Sequence, residues 1–319
     1  MCRRKRLQES RRSSASYCRF RVSDLFAVHY ILRMQKRTRL PIALTVAGSD
    51  SGGGAGIQAD LKTFASLGVH GTTAITCLTA QNPKRVLGIQ ACEVAMVRNQ
   101  LEAVFSELPP NAIKTGMLYS AGIIRAVAEF LSHHRRPPLV VDPVMVSTSG
   151  ARLLKPDAMR ALREQLLPLA ALLTPNLDEA EILSSRKLSS VEDLRAAARI
   201  LRKRFGCAVL VKGGHLVGLR EAVDIYFDGE QELLLSAPFV RGVSTHGTGC
   251  TYSAAITGFL AQGLGLAQAV QRGKAYITQA IAQSQMAAGH SVLNCFMRGS
   301  VRAGVVENRH ENGTSNRSR

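Results

Sequence analysis

No run in this 319-residue chain is fit to cross a membrane as a helix. The longest uncharged apolar stretch, Gly249 to Gln271, is broken by Ser253, Thr257, Gln262, Gly263, Gly265 and Gln268, where a span needs about 20 predominantly apolar residues. Paired cysteines are missing too. The seven present, Cys2, Cys18, Cys77, Cys92, Cys207, Cys250 and Cys295, are odd in number and widely spaced, which fits neither a disulfide framework nor a zinc site and points to a reducing, cytoplasmic setting. Acids are scarce, 23 against 41 Lys and Arg, for a net charge of +18. Such a surplus raises a nucleic-acid role, and its position argues against one. Residues 1–40 carry net +10 and residues 297–319 net +3, leaving +5 for the 256 residues between. A core this mildly basic suits a protein that handles phosphates, and DNA affinity built on phosphate contacts would leave with the tails. With 46% apolar and 20% charged residues, the chain has enough apolar material for a sizeable core, which excludes a disordered or fibrous protein.

The two ends are expected to stand outside the fold. Residues 1–40 form a basic arm with Ser10, Ser13, Ser14 and Ser16; Met34 lies just before the first convincing strand, so the arm reads as an upstream start choice or as a flexible or targeting segment. Residues 297–319 are polar, without periodicity, and read as a disordered tail. Between them, residues 41–296 alternate β-rich runs (Ile42 to Ala47, Thr72 to Leu78, Ala112 to Thr115, Leu139 to Val141, Leu172 to Thr174, Ala208 to Val211) with helical spacing such as Ile57, Leu61, Phe64 and Leu67. Apolar strands without strict alternation, separated by helices, predict an α/β domain with a doubly wound, mainly parallel sheet flanked by helices. Asp228-Gly229 predicts a hairpin joining Ala222 to Phe227 with Glu232 to Ser236. Two helices, Gly249 to Gln262 and Leu266 to Ala287, are expected to close the fold.

In such sheets ligands bind beyond the carboxyl ends of the strands, so the glycine-rich segments there carry the chemistry. Ala47-Gly48-Ser49-Asp50-Ser51-Gly52-Gly53-Gly54-Ala55-Gly56 follows a strand and opens a helix, offering free amides and close approach to the backbone, with a plain flexible turn as the alternative. No Gly-Lys-Ser/Thr follows, so it is not a Walker A loop, and it lacks the context of a dinucleotide fingerprint. Thr245-His246-Gly247-Thr248-Gly249-Cys250 leads into a second helix, whose positive end is a ready site for an anion. Cys250 in its first turn is either a thiolate favoured by the dipole or a buried small hydrophobe. Asp142-Pro143, Thr174-Pro175-Asn176-Leu177-Asp178-Glu179 and Lys212-Gly213-Gly214-His215 end three further strands. Asn176 and Glu179, three apart, could face one side and hold a hydrated Mg²⁺, unless Asn176 is a helix cap; Lys212 could reach a phosphate. Together these features point to phosphoryl transfer from a nucleotide.

From Pro41 to Phe296 the chain resembles the ribokinase-like kinases, and within them the hydroxymethylpyrimidine/phosphomethylpyrimidine kinases of thiamine biosynthesis. Seven blocks match in order: the first glycine loop through Asp60, Thr79-Ala80-Gln81-Asn82, Lys114-Thr115-Gly116-Met117-Leu118, Asp142-Pro143-Val144-Met145, Asn176-x-x-Glu179, Lys212-Gly213-Gly214-His215 and His246 to Cys250. The resemblance implies a pyrimidine pocket of Gly48, Asp60, Gln81, Met117 and Val144, and ATP held by Asn176, Lys212 and Thr245. It also implies Mg²⁺ near Glu179 and Asp142, a catalytic loop of Gly247, Thr248, Gly249 and Cys250, and a homodimer. Gly289-His290 and Asn294 look like the family's closing segment, with Cys295 in place of His. Some pyridoxal kinases share the pattern, including the final Cys, and form the nearest alternative; an α/β protein that binds a ligand without turnover is a third.

Overall fold

The computed structural model describes residues 39–134, 137–145, 154–214, 216, 219–240 and 246–296. Residues 1–38 of the basic arm and the polar tail, together with Thr245 and His215, lie outside these residues. The chain runs β1 (Ile42–Asp50), α1 (Gly56–Ser66), β2 (His70–Asn82), β3 (Arg85–Ala91), α2 (Val94–Glu107), β4 (Ala112–Thr115), α3 (Ala121–His133) and β5 (Leu139–Val141). It continues with α4 (Pro156–Ala161), β6 (Leu172–Leu173), α5 (Leu177–Ser184), α6 (Val191–Phe205), β7 (Ala208–Lys212), β8 (Glu221–Phe227) and β9 (Glu232–Pro238). It closes with α7 (Thr248–Ala261), α8 (Leu266–Ala282), β10 (Gln285–Ala287) and β11 (His290–Val292).

Nine strands form one sheet in the order β3-β2-β1-β4-β5-β6-β7-β8-β9. From β2 to β7 the neighbours are parallel, and β3, β8 and β9 are antiparallel additions at the two edges. Successive residues of the central strands feed opposite cores: Leu44, Val46, Leu139 and Val141 pack on one face, Ala43, Val140, Leu172 and Leu210 on the other. That is the burial a doubly wound sheet requires. Because β2 lies on one side of β1 and β4 on the other, the strand order reverses at β1. A crevice therefore opens at the carboxyl ends of β1 and β4, where ligands bind in open α/β sheets.

Two expectations are corrected. The last helix ends at Ala282 rather than Ala287, because Gln285–Ala287 pairs antiparallel with His290–Val292. Ala288 (φ 48°) and Gly289 (φ 81°) make the two-residue left-handed turn that joins them, as a tight hairpin requires. The edge strand β3 was not expected; it pairs with β2 from Cys77↔Ala91 to Asn82↔Arg85. Asn82 Oδ1 accepts from the amides of Lys84 and Arg85 (2.9 and 3.0 Å), turning the chain between the two strands. Among the described residues no helix is long and apolar enough to cross a membrane.

Candidate active site

Strands β1, β2, β4, β5 and β7 deliver their ends to one rim, and α7 begins over it. The first glycine loop, after β1, is organised by its own acid. Asp50 Oδ1 accepts from the Gly52 amide (2.8 Å) and Oδ2 from those of Gly54 (3.1 Å) and Ala55 (2.8 Å). The expectation that this loop offers free amides is corrected, since the chain's own carboxylate occupies the place of an anion. Burial raises the Asp50 pKa, but contacts from His246, Gly52 and Ala55 outweigh it and hold the carboxyl below its usual range.

The second loop enters α7 through Gly247, whose φ of 78° is left-handed. A Cβ there would lie 1.8 Å from the Gly54 carbonyl oxygen, so only glycine fits. No side chain caps the helix, and Thr248 Oγ1 is buried without a partner among the described residues. Thr248, Gly249 and Cys250 form the first turn, whose amides have no carbonyl of their own helix to bond. Burial pushes the Cys250 thiol up to about 11, Lys114 opposing and Asp60 and Asp142 adding to the rise. The thiolate reading is corrected: at rest this cysteine is a thiol, because the desolvation penalty exceeds the pull of the Lys114 cation.

Two ion pairs lie close to this turn. Lys114, a charged residue inside the apolar strand β4, meets Asp60 of α1 through both carboxylate oxygens (2.7 and 2.8 Å), with both side chains wholly buried. Thr45 Oγ1 donates to the same carboxylate at 2.6 Å. Burial disfavours the Lys114 cation, yet Asp60 outweighs it and the pKa is raised. Asp60 was expected to line the pyrimidine pocket; this is corrected, since its carboxylate is spent on Lys114 and Thr45 and no part of it is exposed. The second pair joins Lys212 of β7 to Asp142 after β5 (3.0 Å), whose other oxygen accepts from Ser253 of α7 at 3.1 Å. Lys212 Nζ would lie 3.3 Å from a Cβ on Gly249, which brings this cation to the start of α7. Burial raises Asp142, but Lys212 and then Lys114 outweigh it, and the carboxyl stays low.

Asn176 and Glu179 make a reciprocal capping box on α5. Asn176 Oδ1 accepts from the Glu179 amide and Glu179 Oε2 from the Asn176 amide, both at 2.9 Å, while Glu179 Oε1 accepts from the Met145 amide at 3.2 Å. The expectation that this pair holds a hydrated Mg²⁺ is corrected in favour of the cap: both Glu179 oxygens are taken and the residue is 2% exposed. Burial pushes the Glu179 carboxyl up to about 7, against the pull of Lys212.

Of the remaining expected pocket residues, a Cβ on Gly48 would lie 3.4 Å from Met117 Cε. The Met117 carbonyl is fixed by Thr76 Oγ1 at 2.7 Å. Gln81, next to the end of β2, has Nε2 3.5 Å from His246 Nε2, and Val144 follows β5, half-buried. The closing hairpin faces Gly52, Gly54, Pro83 and His246 across a cavity of ≈ 100 Å³, with His290 and Ser291 on its own side. Asp50, Lys114 and Ser253 were given no role from sequence. A lone lysine in an apolar strand was the available signal for Lys114, and an acid among glycines that for Asp50.

Residues 50–294 match the family model described as phosphomethylpyrimidine kinase. A hydroxymethylpyrimidine/phosphomethylpyrimidine kinase of Synechococcus elongatus is 49% identical over 77% of this chain and 93% of its own length. The thiamine biosynthesis bifunctional protein ThiED of Geobacter sulfurreducens is 48% identical over 85% of this chain, which spans 56% of that longer relative. The ADP complex of Bacillus subtilis pyridoxal kinase superposes with a TM-score of 0.74 at 38% identity, covering 80% of this chain and 97% of that one.

Proposed function

This chain belongs to the phosphomethylpyrimidine kinase family, and we propose that it transfers phosphate from ATP to hydroxymethylpyrimidine and then to its monophosphate, supplying thiamine biosynthesis. The observation that carries this reading is the uncapped start of α7 with the Lys212 cation close beside Gly249. Phosphoryl transfer asks a protein chiefly for positioning and for positive potential at the moving group. The amides of Gly247, Thr248 and Gly249 face the transferring phosphoryl group, at the positive end of the helix dipole. Lys212, held by Asp142, meets the nucleotide phosphates, with Asn176 bridged to it along the backbone; Thr245, the third ATP contact that the resemblance implies, lies outside the described residues.

Gly48, Gln81, Met117 and Val144 form the acceptor pocket, the amide of Gln81 pairing with the ring's polar edge between apolar walls. Cys250 aligns the acceptor hydroxyl. A thiol with a pKa of about 11 is ionised to only about one part in 10⁴ near neutral pH, and a loose transition state asks little of a base. Mg²⁺, which ATP chemistry of this kind implies, does not fit Glu179 and Asp142 as direct ligands: their oxygens are engaged by amides, Lys212 and Ser253, and both residues are buried. A homodimer is supported by the exposed β3 edge with Val86 and Leu87, and a reducing, cytoplasmic setting by the five unpaired cysteines among the described residues.

Pyridoxal phosphorylation is the second reading, favoured by the likeness to the Bacillus pyridoxal kinase. Turnover of hydroxymethylpyrimidine, its monophosphate and pyridoxal with ATP and Mg²⁺ separates the two, with Cys250→Ala and Cys250→Ser alongside. Both pyrimidines should react, Cys250→Ser should retain more rate than Cys250→Ala, and a preference for pyridoxal would overturn the pyrimidine assignment.

A further inference from the structure

The first glycine loop touches the second at two successive points. Asp50 Oδ2 lies 3.4 Å from His246 Nε2. The Gly54 carbonyl presses on Gly247, where even a methyl group would be 1.8 Å away. Residues 50 and 54 thus meet 246 and 247 in the same order, and two further contacts tighten the arrangement. A Cβ on Gly54 would be 2.8 Å from His246 Cδ2, so the imidazole packs closely against that residue. Gln81 Nε2 approaches His246 Nε2 to 3.5 Å.

One carboxylate stands at the centre. Asp50 Oδ2 holds the amides of Gly54 and Ala55 as well as facing His246, so it fixes the shape of the first loop and the edge of the second together. A carboxylate accepts several such bonds at once; an amide in its place would have one acceptor oxygen and would turn an NH₂ group toward donors.

We propose that Asp50 and His246 are positioning residues: they latch the first glycine loop onto the second and so set the orientation of the Gly247–Cys250 amides that face the transferred phosphoryl group. This rests on the kinase reading for its rate measurements. Neither side chain needs to touch substrate. What the latch controls is the direction of the amides, and electrostatic stabilisation of a transition state is steeply sensitive to misplacement of about 1 Å.

The test uses the full chain and the variants His246→Ala, His246→Gln, Asp50→Asn and the double variant Asp50→Asn/His246→Ala. Glutamine retains a donor that can reach Asp50; alanine does not. His246→Ala and Asp50→Asn should each lower kcat by about tenfold or more while KM for ATP stays within about twofold, and His246→Gln should recover most of the loss. The double variant should be no more than about twofold slower than the slower single, because both remove one interaction. A kcat for His246→Ala within twofold of wild type, equal losses for Ala and Gln, or multiplying effects in the double variant would overturn the latch. Amide hydrogen exchange supplies a readout independent of substrate: in Asp50→Asn, protection should fall at residues 251–253, the first bonded amides of α7, as well as at 52–55. Loss confined to 52–55 overturns the proposal even if no acceptor tested is a substrate, whereas absent turnover by wild type with coupled exchange would count against the kinase reading alone.

Discussion

Replacing Lys114 by methionine removes the cation from a fully enclosed ion pair and leaves Asp60 behind. Its carboxylate would keep only the Thr45 hydroxyl of its present partners, at 2.6 Å, in a site where neither member of the pair has any exposed side-chain surface. Breaking a buried pair from one side costs about 3–5 kcal/mol, because the remaining charge is uncompensated. Methionine fills most of the lysine volume, so the loss reports charge rather than a cavity. For a domain of this size each kcal/mol moves Tm by about 2–4 °C, so Lys114→Met should melt roughly 6–20 °C below wild type. Asp60→Asn in the Lys114→Met background should recover a large part of that loss, since it removes the stranded charge. The check is thermal and denaturant unfolding of the four members of this cycle. A single variant within about 1 kcal/mol of wild type, or strictly additive effects in the double, would refute the argument that burial makes this pair interdependent.

Two other perturbations follow from the same site. Gly247→Ala adds a Cβ that would sit 1.8 Å from the Gly54 carbonyl oxygen at a φ of 78°; the loops must part, and kcat should fall by ~10²–10³, as when an anion-hole donor is lost. Steady-state kinetics giving less than a tenfold change would show that the contact does not hold the loop. Glu179, pushed up to about 7 from an unperturbed 4.5, binds its proton in the folded state where the unfolded chain has released it. Stability therefore falls as pH rises between about 4.5 and 7 and levels off above. Denaturant midpoints of wild type compared with Glu179→Gln should show this slope in the difference, and a flat or rising difference would refute it.

The central strands were legible because burial on both faces leaves an unbroken apolar signature: the bounds of β4 and β5 coincide with the expected runs. Strand β3 left no such trace. Six of its seven residues are exposed and only Ile89 is half-buried, so no buried face imposes a period of two on the sequence. The run after Ala282 keeps helix-forming composition, Gln-Ser-Gln-Met-Ala-Ala, and what stops the helix is hairpin pairing across Ala288-Gly289, a non-local choice that propensity does not report. At the site, glycine spacing located both loops, but a glycine pattern is blind to what fills the space it leaves. Asp50 and Asp60 each sat within a recognisable block, and the block did not say that one carboxylate would hold amides and the other a buried lysine.

That difference explains why two loops of similar composition end with opposite electrostatic characters. In the first, a carboxylate three residues before the Gly-Gly-Ala stretch folds back on its amides, so their positive potential is spent inside the protein. In the second, no acid follows within the first turn of α7, and the nearby carboxylates are bound to lysines: Asp60 to Lys114, Asp142 to Lys212. The terminus of α7 thus keeps its positive end without a protein anion to cancel it, and the two pairs give the surrounding acids a neutral environment. An incoming polyphosphate finds donors in the second loop and none free at Gly52, Gly54 or Ala55 in the first. In the proposed reaction the acceptor side of the crevice is accordingly the β1 side, bordered by Gly48, Gln81 and Met117, and the phosphate side runs from α7 to Lys212. The polarity of the reaction site follows from the placement of one aspartate.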